Sequence, residues 1–123
     1  MRLSPSLAKR LTLPWVALLL AVSLQPVRYK AAGFHRPLHL VAFALTASLL
    51  YLRAFPHHQA AASLASVLVL AFAIELAQAR LYHNPIEWWD IRDDLLGALI
   101  GLACGRLLAS SILARRTNET NPG

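Results

Sequence analysis

Five residues in this chain have types and spacings that suit chemistry: His39, Glu75, Gln78, Asp90 and Asp94. Glu75 and Gln78 are spaced i, i+3 and share one helical face. Asp90 and Asp94 are spaced i, i+4, and Gly97 and Gly101 continue the same stripe. A carboxylate within an apolar run is expensive unless it is partnered, protonated or lines a cavity, which marks Glu75 as a functional candidate. The bland alternative is that Glu75 pairs with Arg80, His39 or Arg92 and locks helices together. His39 suits a proton carrier, a hydrogen-bond partner for Glu75 or a simple filler. His35, four residues before His39, suggests a metal site with Glu75, Asp90 and Asp94 as oxygen ligands. Pro37 separates the two histidines, however, so no metal and no cofactor are expected. Neither a Gly-x-Ser-x-Gly nor a His-Glu-x-x-His motif occurs, and Ser63, Ser66, Ser110 and Ser111 are remote from the acidic residues, so no enzyme class is assigned.

The elements that would position these residues are apolar. Of the 123 residues 57% are hydrophobic and 15% charged, well below the roughly 25% charged of soluble domains. A membrane-crossing helix needs about 20 mainly apolar residues. Four such segments are read, at about 11–25, 37–53, 59–81 and 91–113, giving an all-α membrane fold of four transmembrane helices. They follow a basic tail over 1–10 and precede a polar, disordered tail over 114–123. The first is short, and its basic flank and the "AVS" at 21–23 also suit a cleaved signal peptide. Short joints make consecutive helices antiparallel neighbours in an up-and-down bundle. That topology gathers His39, Glu75, Gln78, Asp90 and Asp94 on one side as a polar pocket, with His57 and His58 on the other.

Four of the six acids, Glu87, Asp90, Asp93 and Asp94, fall between 87 and 94 in a chain of net charge +6. Negative side chains favour a helix N-terminus, which accounts for Glu87 and Asp93 as interface and cap charges, Asp93 sitting with Arg92 at headgroup level. Capping does not require Asp94, one turn deeper. Tyr82, Trp88 and Trp89 read as interface anchors. Gly97, Gly101 and Gly105 form a small-xxx-small series, assigned to packing within the bundle; a homodimer seam is the less favoured alternative. Arg106 is assigned no role. The lone Cys104 excludes an internal disulfide. Basic residues are scattered between apolar runs, which argues for contacts to membrane lipid rather than nucleic acid. Arg2, Lys9, Arg10, Arg53, Arg115 and Arg116 fall on one side against Arg28, Lys30, Arg36, Arg80 and Arg92, a slight excess that places the termini in the cytoplasm.

With "PLHLVAFAL" around His39, "IELAQARLY" carrying Glu75 and Gln78, and Asp90, Asp94 and Gly97 entering the last helix, the chain resembles the VanZ-like family of small bacterial membrane proteins. The resemblance covers about residues 36–105. It departs at Asp94, where the family pattern has asparagine; an ionised aspartate only accepts hydrogen bonds, whereas asparagine also donates. The resemblance implies a multi-pass inner-membrane protein of the cell envelope, linked to teicoplanin (glycopeptide) resistance, and carries over no catalytic residue. The expected partner is a lipid-linked or envelope ligand. Two other readings stay open. One is a structural or partner-binding subunit. The other is a small proton-coupled exporter, against which the late, near-interface position of the acid counts.

Overall fold

A computed structural model describes residues 5–25, 35–53 and 59–120 as four helices: α1 (Pro5–Ser23), α2 (His35–Arg53), α3 (Gln59–Tyr82) and α4 (Trp88–Thr120). Arg2, Arg28, Lys30, His57, His58 and the last residues of the tail lie outside the described residues. α1, α3 and α4 are long and apolar enough to cross a membrane.

Helix ends follow local chemistry. α1 closes with the Leu24 N–H on the Leu20 carbonyl, just before Pro26. α3 stops where His83 takes a left-handed φ of 55°, a C-terminal conformation that turns the chain out of the helix, and Pro85 forbids its resumption. α4 starts as the Asp90 N–H reaches the Glu87 carbonyl. α2 starts at His35 rather than 37 and α4 at Trp88 rather than 91, and two boundaries differ more from the sequence reading. α1 begins at Pro5, within the basic tail, with Pro14 inside the helix. α4 runs through Thr120, so residues 114–120 are helical rather than a disordered tail: no helix breaker intervenes before Pro122.

α2 lies at the centre, touching α1, α3 and α4, with α4 its most extensive partner. Contacts along the α2–α4 seam rise in step: Arg36 with Asp93, His39 with Asp94, Leu40 with Gly97, Ala44 with Gly101 and Tyr51 with Gly105. The two helices therefore run in the same direction. The same order relates α1 to α3, where Gln78 and Tyr82 meet Ser23 and Leu24.

The burial pattern is the reverse of a water-soluble protein's. Leu13, Val22, Leu38, Val69, Leu76, Leu107 and Leu113 are exposed, while Thr12, His39, Thr46, Glu75, Gln78, Asp90, Asp93 and Asp94 are buried. Lipid offers no hydrophobic driving force between helices, so they associate through close packing of small residues and through polar contacts. Ala47, Ala71 and Ala98 accordingly sit in the core with Phe43, Val67 and Ile74. Several hydroxyls bond one turn back within their own helix, as where Thr12 donates to the Ala8 carbonyl and the exposed Ser66 to the Ala62 carbonyl, the back-bond that Ser and Thr form within a helix.

Candidate functional site

The glycine stripe of α4 lets the site form. Gly97 and Gly101 lie against the backbones of Leu40 and Ala44, so close that a Cβ at either would overlap the α2 carbonyl oxygen. Ser48 Oγ donates to the Gly101 carbonyl at 2.8 Å. One turn toward the helix starts, this contact brings His39 Nδ1 to 2.8 Å from Asp94 Oδ1, with both side chains buried. His39 stacks on Phe43, with ring centroids 6.2 Å apart and planes 11° apart, which fixes the imidazole. Asp90 and Glu75 stand within electrostatic reach of the same ring.

The other candidates divide between helices. Glu75 Oε2 accepts the Glu87 backbone N–H at 3.0 Å, tying α3 to the entry of α4. Gln78 turns toward α1, donating to the Ser23 carbonyl at 2.6 Å. Tyr82, expected as an interface anchor, donates its hydroxyl to the Leu24 carbonyl at 2.6 Å, beside Gln78. Both acceptors lie at the end of α1, where carbonyls have no helical donor. Trp88 and Trp89 are two-thirds exposed; Phe72 meets Trp88 edge-on, and the Arg92 guanidinium lies 4.6 Å from the Trp89 ring centroid.

Asp93 corrects the sequence reading. It is not solvated but buried, and it accepts from two arginines, Arg92 as expected and Arg36 besides. Arg36 Nε reaches Oδ2 at 2.8 Å, and Arg92 donates to Oδ1 from Nη2 at 2.7 Å and from Nε at 3.1 Å. The signal for this cluster was present in the sequence. Arg36 stands in the first turn of α2, where the helix dipole disfavours a cation, so it calls for an anion. Arg36 and His39, one turn apart, face the adjacent Asp93 and Asp94.

Two polar contacts thus link α2 to α4 at one end of the bundle: a buried His–Asp pair and, outside it, a carboxylate shared by two half-exposed arginines. The His–Asp pair can accept, donate or pass a proton between helices; the arginines present cationic donors to the surface. Among the described residues no three His, Cys, Asp or Glu side chains converge as metal ligands. Comparison of the chain with protein-family models, with curated proteins and with solved structures finds no match.

Proposed function

We propose that the chain is a four-helix, VanZ-like protein of the bacterial inner membrane, with cytoplasmic termini, that binds a lipid-linked or envelope ligand at the end of the bundle where His39, Glu75, Asp90 and Asp94 gather. The observation carrying this reading is the buried His39–Asp94 pair among further carboxylates, in a molecule whose outside is apolar. Ionisable groups held inside a membrane bundle mark ligand and proton sites.

Support for α2 as the fourth span comes from its faces. Between Arg36 and Arg53 at its ends, Leu38, Val41 and Leu45 are its exposed large hydrophobic side chains, whereas His39 and Thr46 are buried. Its lipid-facing surface is therefore apolar although its average composition is not. Support for an uncleaved α1 in an up-and-down bundle comes from the Gln78 and Tyr82 bonds to Ser23 and Leu24 and from Trp15 Nε1 donating to Thr46 Oγ1 at 2.9 Å.

The test is complementation of a deletion strain scored by teicoplanin susceptibility. Glu75→Gln and Asp90→Asn should each abolish rescue while membrane levels stay unchanged; full rescue by both rejects the reading. Cysteine labelling at Ser4 and Asn84 in a Cys104→Ser background reports the orientation.

A second reading, that the cluster only ties helices together, is favoured by the bonds of Glu75 and Gln78 to neighbouring backbone. A double-mutant cycle on His39 and Asp94 separates the two: strong coupling in stability with rescue retained supports the tie.

A further inference from the structure

The arginines around Asp93 have a shape that the His39–Asp94 pair does not explain. A single buried carboxylate fixes two guanidiniums from different helices, Arg36 on α2 and Arg92 on α4. Arg36 donates to it through Nε alone, and Arg92 through Nε and Nη2. Each guanidinium carries five N–H donors, so among the described residues most are left over. Their side chains remain about half exposed while Asp93 is buried, so the leftover donors face outward. Two positive charges against one negative leave the triad cationic. The Trp89 ring beneath Arg92 fixes the plane of that guanidinium. Exposed Trp88 and Trp89 belong at the level of the lipid headgroups, where their amphipathic rings are most stable.

We infer that Arg36 and Arg92, aligned by Asp93, form a binding site for the phosphate of an anionic lipid headgroup. Paired guanidinium forks match phosphate oxygens bidentately, which a point charge such as lysine does not. The membrane supplies the phosphate because the site opens at the depth set by the two tryptophans. The site rests on the preceding section for its membrane placement only.

The test uses the purified full chain in detergent, with native mass spectrometry comparing adducts of phosphatidic acid and phosphatidylcholine. Phosphatidic acid should bind more tightly by about tenfold, the scale of one charge-assisted hydrogen bond, and Arg36→Gln or Arg92→Gln should each remove that preference. Asp93→Asn discriminates further. A diffuse cationic patch would bind anionic lipid more tightly once a negative charge is lost, whereas an aligned site loses affinity. Arg92→Lys keeps the charge but not the fork, so it too should lose the preference, and it serves if Asp93→Asn fails to fold. Equal binding of the two lipids, tighter binding by Asp93→Asn, or an unchanged preference in Arg92→Lys would overturn the site. Displacement of the lipid by millimolar inorganic phosphate would show that the free ion, not the headgroup, is the ligand, and would overturn the lipid assignment. Loss of teicoplanin rescue in Glu75→Gln and Asp90→Asn reports on the other cluster, so the two ideas fail separately.

Discussion

Replacing Gly101 by alanine should destabilise the chain and replacing Gly105 should not, although both glycines lie on the same stripe of α4. A Cβ at Gly101 overlaps the Ala44 carbonyl oxygen and comes within 2.8 Å of the Ala44 carbonyl carbon and Cα. Ordinary carbon contacts lie at about 3.5–4.0 Å, so α2 must retreat by roughly 1 Å, and backbone cannot rotate aside as a side chain can. Such overpacking costs about 1–3 kcal/mol. The retreat also stretches the Ser48 bond to the Gly101 carbonyl, a contact of about 0.5–1.5 kcal/mol. Alanine gains about 1 kcal/mol in helix propensity over glycine, leaving Gly101→Ala destabilised by about 0.5–3.5 kcal/mol. At Gly105 the Cβ meets Tyr51 side-chain atoms at 3.1–3.3 Å. That ring yields by a few tenths of an ångström, so the propensity gain prevails and Gly105→Ala is neutral or stabilised by up to about 1 kcal/mol. Reversible unfolding of the detergent-solubilised chain, followed by circular dichroism, measures both, with light scattering reporting the oligomeric state. Equal stability of the two variants refutes the close α2–α4 approach. A change of mass with unchanged stability in Gly101→Ala would instead place the glycines between two copies.

Three further outcomes follow from single contacts. Trp15→Phe removes the donor to Thr46 and should lower stability by about 1 kcal/mol in the same unfolding assay; no change would mean that α1 is not docked there. His83→Gly relieves a left-handed backbone at the end of α3 and should raise stability by up to about 1 kcal/mol, whereas a loss would mean that the His83 side chain holds the turn. Asp94→Asn keeps an acceptor for a neutral His39 Nδ1–H and should stay within about 1 kcal/mol of the parent, while Asp94→Leu leaves that nitrogen buried without its partner and should cost about 1–3 kcal/mol; equal stability of the two variants would show that the 2.8 Å contact contributes nothing.

Much of this arrangement was readable from spacing alone. Apolar run lengths gave four helices, and the i, i+4, i+7 stripe placed Asp94 and the glycines on one face of α4, the face that meets α2. Most partners of individual polar groups were not readable. Gln78 lies on the expected face, yet it bonds to Ser23, because unpaired carbonyls at the end of α1 are invisible in side-chain sequence. Asp93 was misjudged for a related reason. One helix position tells which face a residue occupies, but whether that face is covered depends on how closely the neighbouring helix approaches, and that closeness is set four and eight residues further on, by Gly97 and Gly101.

The same closeness explains why α2 falls short as an apolar segment by average composition and still presents an apolar outside. Hydropathy averaged along a helix treats its faces alike, whereas α2 is divided: Leu38, Val41 and Leu45 point outward, and His39, Leu40, Ala44, Ser48 and Tyr51 meet α4. A helix surrounded on three sides can carry a histidine and hydroxyls within a membrane only if its neighbour supplies acceptors at matching heights. α4 does so with Asp94 and the Gly101 carbonyl, the second of which is within reach because the residue has no side chain. Polar contacts and small-residue packing are therefore one device along this seam. Enlarging Gly101 should weaken the His39–Asp94 pair two turns away without touching either residue, which a longer or broken Nδ1–Oδ1 contact in the Gly101→Ala variant would reveal.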